Sequence, residues 1–336
     1  SRAPAQVCDR PHPLHISSRT VAQAPRAPPA TGVCGSGHAR GAPGQASSSM
    51  EELQALGYEY RGGRLLAVGK DEGFTFKDQE HYDALADAVL RYVTSLLESE
   101  AQLRPLWLPL GAESGARCPI YVSEGFDSAS KVLLLIQGSG RVRVGVWGCA
   151  LCINKDLDQG TMLPYLREAA DRGYGVIVLN PNLNQVDGQP IPGSETPDRH
   201  VAYVWESVLL ARCRGDASVD VVAHSNGGRA LLYFMADCEA AAKRIHRLAL
   251  TDSYHMAPET KALGPEGKVL LADRSVNYVP HNAPFGTPVE EWVTLGNFMT
   301  QASKGCPCVS AATPDHASTN QASLKAAFDF FAAEGK

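Results

Sequence analysis

Val219-Asp220-Val221-Val222-Ala223-His224-Ser225-Asn226-Gly227-Gly228 is the stretch whose reading decides the fold. A short β-branched run ends at Ala223, a sharp polar turn follows, and Arg229-Ala230-Leu231-Leu232-Tyr233-Phe234-Met235 comes next. The pattern predicts a buried strand, a tight turn and a helix. Ser225 sits at the turn, with Ala223 two residues before it and Gly227 two residues after it. Small residues at those positions keep strand and helix from colliding while the turn lifts the hydroxyl above the sheet. The helix start behind the serine offers free N–H groups and a positive dipole end to a developing oxyanion. Serine is also a favoured N-cap, so the string alone leaves nucleophile and plain cap both open.

The rest of the chain narrows the choice. Its 336 residues suffice for one large α/β domain or two small ones, and 44% hydrophobic with 20% charged residues is ordinary for a globular protein. A net charge of −5 argues against a domain built mainly to grip nucleic acid through its phosphates. Nine scattered cysteines form no disulfide framework, which points to a reducing compartment. Cys149 and Cys152 have no second pair at zinc-ligand spacing and read as small buried hydrophobes; no metal is expected. No apolar run approaches the ~20 residues of a membrane span.

Residues 1–49 are rich in Pro, Ala, Gly, Ser and Arg without apolar periodicity, and are expected to be a disordered extension. The sequence begins at Ser1, and Met50 is a candidate start; a transit peptide is the alternative use of the stretch. A globular domain is expected over 50–336. It opens with a hairpin around Gly62-Gly63 and an amphipathic helix from Gln79 to Leu97. Strands follow at Pro119–Val122 and at Lys131–Ile136, the latter a continuous apolar run typical of a buried parallel strand. Helix and strand then alternate: helix Thr161–Arg172, strand Gly175–Asn180, helix Val201–Arg212, strand Val219–Ala223, helix Gly227–Ile245 and strand Arg247–Thr251. A short strand at Cys308–Ala311 and a closing helix at Ser318–Ala333 end the series. Between Met256 and Asn297 the pattern breaks into Pro, Gly and Asn, as expected of a cap or lid over a site. The expected fold is a three-layer sandwich with a mostly parallel central sheet.

In α/β-hydrolases a serine on a nucleophile elbow is followed by an acid and then a histidine, each at a strand's C-terminal end. Asp252 follows the strand after the elbow helix, and His316 precedes the final helix. Ser225 would attack, His316 would take and return the proton, and Asp252 would hold the imidazole tautomer. Asp273 is a backup acid, whereas Asp315, adjacent to His316, is discounted. The expected oxyanion hole joins the N–H of Asn226 with one from Gly138-Ser139 in the loop after Lys131–Ile136. Hydrolases often carry His-Gly there, and Gln137 replaces the histidine. Gln137, His224, His255, His200 and His281 are pocket candidates, the four histidines without an assigned role. The Gly138–Gly140 loop alone is also readable as a flexible turn, and it fits no phosphate-cradling motif.

Several strings resemble the argonaute-binding, or Arb-type, domain family over about residues 50 to 334. They are Leu135-Ile136-Gln137-Gly138-Ser139-Gly140-Arg141-Val142-Arg143, Ile153-Asn154-Lys155-Asp156-Leu157-Asp158-Gln159-Gly160-Thr161, Gly173-Tyr174-Gly175-Val176-Ile177-Val178-Leu179-Asn180-Pro181-Asn182, the elbow itself, Leu250-Thr251-Asp252-Ser253, and the approach from Ser310 to His316. The resemblance implies an α/β-hydrolase-like fold, a serine nucleophile at Ser225, and relatives tied to small-RNA-directed heterochromatin or splicing regulation in the nucleus. It also implies use as a protein-binding scaffold, with a related domain appended to fungal histone deacetylases.

Two readings from different classes follow. In the first the protein is a serine esterase or thioesterase acting on an acyl-type small molecule or an acylated protein, with no cofactor. In the second it is a hydrolase-derived interaction module for argonaute or chromatin partners. The intact trio favours the first, and family precedent favours the second. Direct RNA binding comes third: Arg141 and Arg143, and Lys243, Arg244 and Arg247, read more simply as solvated faces. The expected location is nucleus, cytoplasm or both.

Overall fold

The computed structural model describes residues 45–333, apart from 291, 296, 297, 302 and 303. Most of the expected N-terminal extension, residues 1–44, lies outside the described residues. The expected boundary at Met50 falls inside a helix, α1 (Gln45–Ala55), which packs on the domain: Ser49 is buried and its hydroxyl pairs with that of Ser95. A hairpin, β1 (Tyr58–Arg61) and β2 (Arg64–Ala67), leads to α2 (Gln79–Ser99). The Asp78 carboxylate caps α2 by accepting from the N–H of His81 at 2.7 Å. Leu85, Val89, Val93 and Leu96 form its buried stripe, at the spacing the sequence shows.

Next come β3 (Leu103–Leu108), β4 (Cys118–Ser123) and β5 (Lys131–Ile136). Three helices, α3 (Cys149–Asn154), α4 (Leu157–Gly160) and α5 (Leu163–Asp171), lead to β6 (Gly175–Val178) and a small hairpin, β7 (Gln185–Val186) and β8 (Gln189–Pro190). Helix α6 (Pro197–Val204) runs on into a π-helical stretch over Trp205–Leu210 and is followed by β9 (Ser218–His224). Then follow α7 (Asn226–Asp237), α8 (Glu239–Arg244), β10 (Ile245–Thr251), α9 (Ala257–Ala262), α10 (Pro265–Asp273) and β11 (Ser275–Val279). A hairpin, β12 (Trp292–Leu295) and β13 (Phe298–Gln301), precedes β14 (Cys308–Ser310) and α11 (Thr319–Ala332).

Eight strands form one sheet in the order β14-β11-β10-β9-β5-β6-β4-β3. β4 pairs antiparallel with both β3 and β6; the remaining pairs are parallel. Alternate residues of β5 and β9 serve opposite layers, as the two-residue period of a strand requires. Leu133, Leu135 and Val222 pack with Leu85, Val89, Tyr165 and Phe328 on one face. Val132, Leu134, Ile136, Val219 and Val221 pack with Trp205, Leu231 and Phe234 on the other. Helices on both faces complete a three-layer α/β-hydrolase-like sandwich.

The expected elbow helix is two helices, broken at Cys238, whose backbone (φ −133°, ψ 82°) is not helical. The expected cap from Met256 to Asn297 is also corrected. It holds α9, α10 and a strand of the main sheet, β11, so the excursion beyond regular packing begins only at Pro280. Ser275 and Asn277 hide β11 by breaking its apolar run. Both are buried because their side chains have partners: the Ser275 hydroxyl donates to Leu271 O, and Asn277 Oδ1 accepts from Ser253 N–H at 3.1 Å.

Candidate functional site

The C-terminal ends of β9, β10 and β5 lie side by side, because Thr251 pairs with His224 and Ile136 with Ala223. The turns leaving these three ends carry the candidate residues. Ser225 adopts φ 51°, ψ −124°, a conformation that costs a non-glycine residue about 1–3 kcal/mol. Its neighbours hold it there: Ser225 N–H donates to Thr251 O at 3.1 Å, and Ser225 O accepts from Tyr254 N–H at 2.9 Å. The turn admits only small residues. A Cβ on Gly227 would lie 2.6 Å from Gln137 O, and one on Gly228 would lie 2.1 Å from the Ser253 hydroxyl oxygen. Helix α7 begins at Asn226, so the Asn226 N–H lies in its first, unsatisfied turn.

Asp252 also has positive φ, 46°, which aspartate tolerates better than most residues, and Asp252 N–H donates to Tyr278 O of β11 at 2.8 Å. His316 approaches from the loop before α11 and donates through Nδ1 to Asp252 Oδ2 at 2.5 Å. Thr319 fastens this loop, its hydroxyl donating to His316 O at 2.7 Å. The His316 side chain is 46% exposed, and Nδ1–H donation leaves Nε2 as the basic nitrogen. Among the described residues no hydrogen bond joins the Ser225 hydroxyl to His316; a nucleophile and its base often close this gap only around substrate.

His224 is buried rather than lining an open pocket. Its ring lies 4.5 Å from that of His316, centroid to centroid, with Trp147 edge-on to it. Nδ1–H donates to Thr251 O at 2.7 Å, and the Thr251 hydroxyl donates onward to Asn320 Oδ1 at 2.7 Å. Burial first, and then the nearby His316, push its pKa down to about 4, so His224 is a neutral platform under the exposed imidazole.

The loop after β5 meets this arrangement at Gly138, where a Cβ would lie 2.7 Å from Ser225 Cβ. Ser139 is exposed beside it. Gln137 is fully buried, and among the described residues both its amide atoms lack hydrogen-bond partners. Asn182, just beyond β6, holds the loop by donating from Nδ2 to Gly138 O at 2.7 Å. Sequence reasoning did not single out Asn182 or Asn320 for the site. For Asn182 the available signal was its place directly after an apolar strand, in Leu179-Asn180-Pro181-Asn182.

Other candidates fall elsewhere. His255 is buried, accepts the Ser253 hydroxyl at Nδ1 (2.7 Å) and donates from Nε2 to Lys304 O (2.9 Å), and burial lowers its pKa to about 4. His200 accepts Asn180 N–H at 3.0 Å and has its pKa pushed down by burial to about 3. His281 accepts Ala283 N–H at 3.0 Å on the surface. Asp273 ends α10 just before β11 begins, at the sheet's opposite edge, which removes it as a backup acid. Asp315 accepts Ser318 N–H at 3.0 Å in the turn before α11. Cys149 and Cys152 are buried in α3, and burial pushes the Cys149 thiol up to about 11.

Strand order, the strained serine on a strand-to-helix turn and the acid–histidine pair beside it define a protein of the α/β-hydrolase class by fold. The chain belongs to the Arb2 domain family, whose model matches residues 51–190 and 183–285. It is 31% identical to the mouse cotranscriptional regulator ARB2A, over 82% of this chain and 79% of that protein. The human cotranscriptional regulator ARB2A is 30% identical over the same shares. Among solved structures, the Pyrococcus furiosus esterase Pf2001 matches 46% of this chain and 53% of its own, at 10% identity and a TM-score of 0.30. Among the described residues no helix is long and apolar enough to cross a membrane.

Proposed function

We propose that the protein is a serine hydrolase of ester or thioester bonds, acting through an acyl-enzyme. The 2.5 Å contact between His316 Nδ1 and Asp252 Oδ2, beside a serine strained onto the turn, carries this reading. A pure scaffold has no physical need for that pair next to that turn. Ser225 Oγ attacks the acyl carbon while His316 Nε2 takes its proton. Asp252 fixes the Nδ1–H tautomer and stabilises the imidazolium. The carbonyl oxygen gains negative charge and accepts from the N–H groups of Asn226 and of the Gly138-Ser139 loop. The alcohol or thiol leaves with the proton from His316, and water then releases the acid by the same route in reverse. Hydrolysis of short p-nitrophenyl esters tests this. Turnover should fall at least about 100-fold in Ser225→Ala and in His316→Ala. Undiminished turnover in either variant would remove that residue from the mechanism.

The names of the mouse and human relatives favour a second reading, in which the domain acts with protein partners in nuclear co-transcriptional regulation, argonaute or chromatin proteins among them by family resemblance. Folded protein that fails to turn over esters, but co-purifies with such partners through this domain, would favour it.

A further inference from the structure

A cleft of about 510 Å³ opens beside the Gly138 loop, with Arg143, Asn182, Asn184, Gln185 and Glu195 among the residues lining it. It shares a wall with the serine site. Asn182 lines the cleft and holds Gly138 O at 2.7 Å, and Gly138 packs directly against Ser225. The two arginines of this loop differ in their pairing. Arg141 is tied to α2 through Asp83 and Asp87. Arg143 is half-buried, and among the described residues no carboxylate comes within ion-pair reach of it. Among the described residues its one side-chain hydrogen bond goes from a terminal nitrogen to the neighbouring Val142 O at 3.0 Å, leaving most of its donor fork unused. An unpaired guanidinium in a cleft wall is a carboxylate receptor in waiting.

We propose that this cleft takes the free carboxylate of a half-acid acyl group, so that the acyl donor is a dicarboxylic monoester or monothioester. This deepens the hydrolase reading and rests on it. The acyl carbonyl would sit at Ser225 with its chain running past Gly138, and the distal carboxylate would lie on Arg143. A single guanidinium suits a monoanion. Glu195 lines the same cleft and pairs with Arg199 only at 3.7 Å, so a phosphate dianion meets repulsion there that a carboxylate meets less.

The test compares hemisuccinyl and butyryl thioesters of N-acetylcysteamine, which share a chain length and differ in the terminal carboxylate. In wild-type protein kcat/KM should be about tenfold or more higher for the hemisuccinyl thioester, and in Arg143→Gln the ratio should fall to near one. No preference in wild-type protein, or a preference that survives Arg143→Gln, would overturn the proposal. Binding is measured separately by calorimetry on Ser225→Ala protein, with and without Arg143→Gln. Monomethyl succinate should bind saturably, and about tenfold more weakly without the arginine. Equal binding of methyl butyrate, tighter binding of inorganic phosphate, or no saturable binding would each overturn it. Fluorophosphonate labelling of Ser225 reads the hydrolase reading independently. A labelled serine without carboxylate preference sinks this inference alone; an unlabelled serine with Arg143-dependent binding sinks the hydrolase reading and with it the acyl donor, leaving a carboxylate site at Arg143.

Discussion

His224 shows why a histidine beside the elbow serine need not be a base. Its Nδ1–H is bound to Thr251 O, its ring supports His316, and burial holds its pKa near 4. The proposed base is instead the exposed imidazole of His316. His200, with a pKa near 3, and His255, near 4, are likewise kept neutral by burial. An unfolded chain protonates all three near pH 6.5, where the folded chain does not. Between about pH 6.5 and 4 the unfolded state therefore binds more protons, and stability falls as pH is lowered. Asp220, whose buried carboxyl is pushed up, acts in the opposite sense at the acid end of that window. We expect the unfolding temperature to hold above pH 7 and to drop progressively below about 6.5. His200→Gln should flatten that drop; an unchanged slope in this variant would remove His200 from the account. At this scale the placing of the proposed trio was legible because Ser225, Asp252 and His316 each follow a strand in a readable order. The neutrality of His224 was not, since it depends first on burial and then on His316, which is distant in the chain.

Among the elements, the elbow depends most on a single side chain being absent. Gly228 lets α7 lie against the turn after β10, and a methyl group there would meet the Ser253 hydroxyl oxygen at 2.1 Å. Ser253 cannot retreat easily, because it is fully buried and bonded to His255 at 2.7 Å. Gly228→Ala should therefore lower stability by about 1–3 kcal/mol and move α7 with its first N–H groups. Denaturant unfolding checks this, and an unchanged midpoint would show that the helix shifts freely. The continuous apolar run of β5 and the stripe of α2 were readable from period alone. β11 was not, because Ser275 and Asn277 look like loop residues until Leu271 O and Ser253 N–H are placed beside them. Cys238 gave no sequence cue for the break between α7 and α8.

Over the whole molecule, strand–helix alternation fixed the class of fold before any contact was known. The strand order depends on which edges pair, and that is set by packing between residues far apart in the chain. The sheet brings the ends of β5, β9, β10 and β11 to one edge, so residues from four segments meet at one turn. Arg143, which no carboxylate reaches among the described residues, lines a cleft together with Asn182, the residue that holds the Gly138 loop. The central claim is that this edge activates Ser225 as a nucleophile. Mass-spectrometric mapping of a fluorophosphonate adduct on folded wild-type, Ser225→Ala and His316→Ala protein tests it most directly. One adduct is expected, on Ser225, absent in Ser225→Ala and formed far more slowly in His316→Ala. Folded wild-type protein that carries no adduct, or carries it on another residue, would contradict the claim and leave the domain as a partner-binding scaffold.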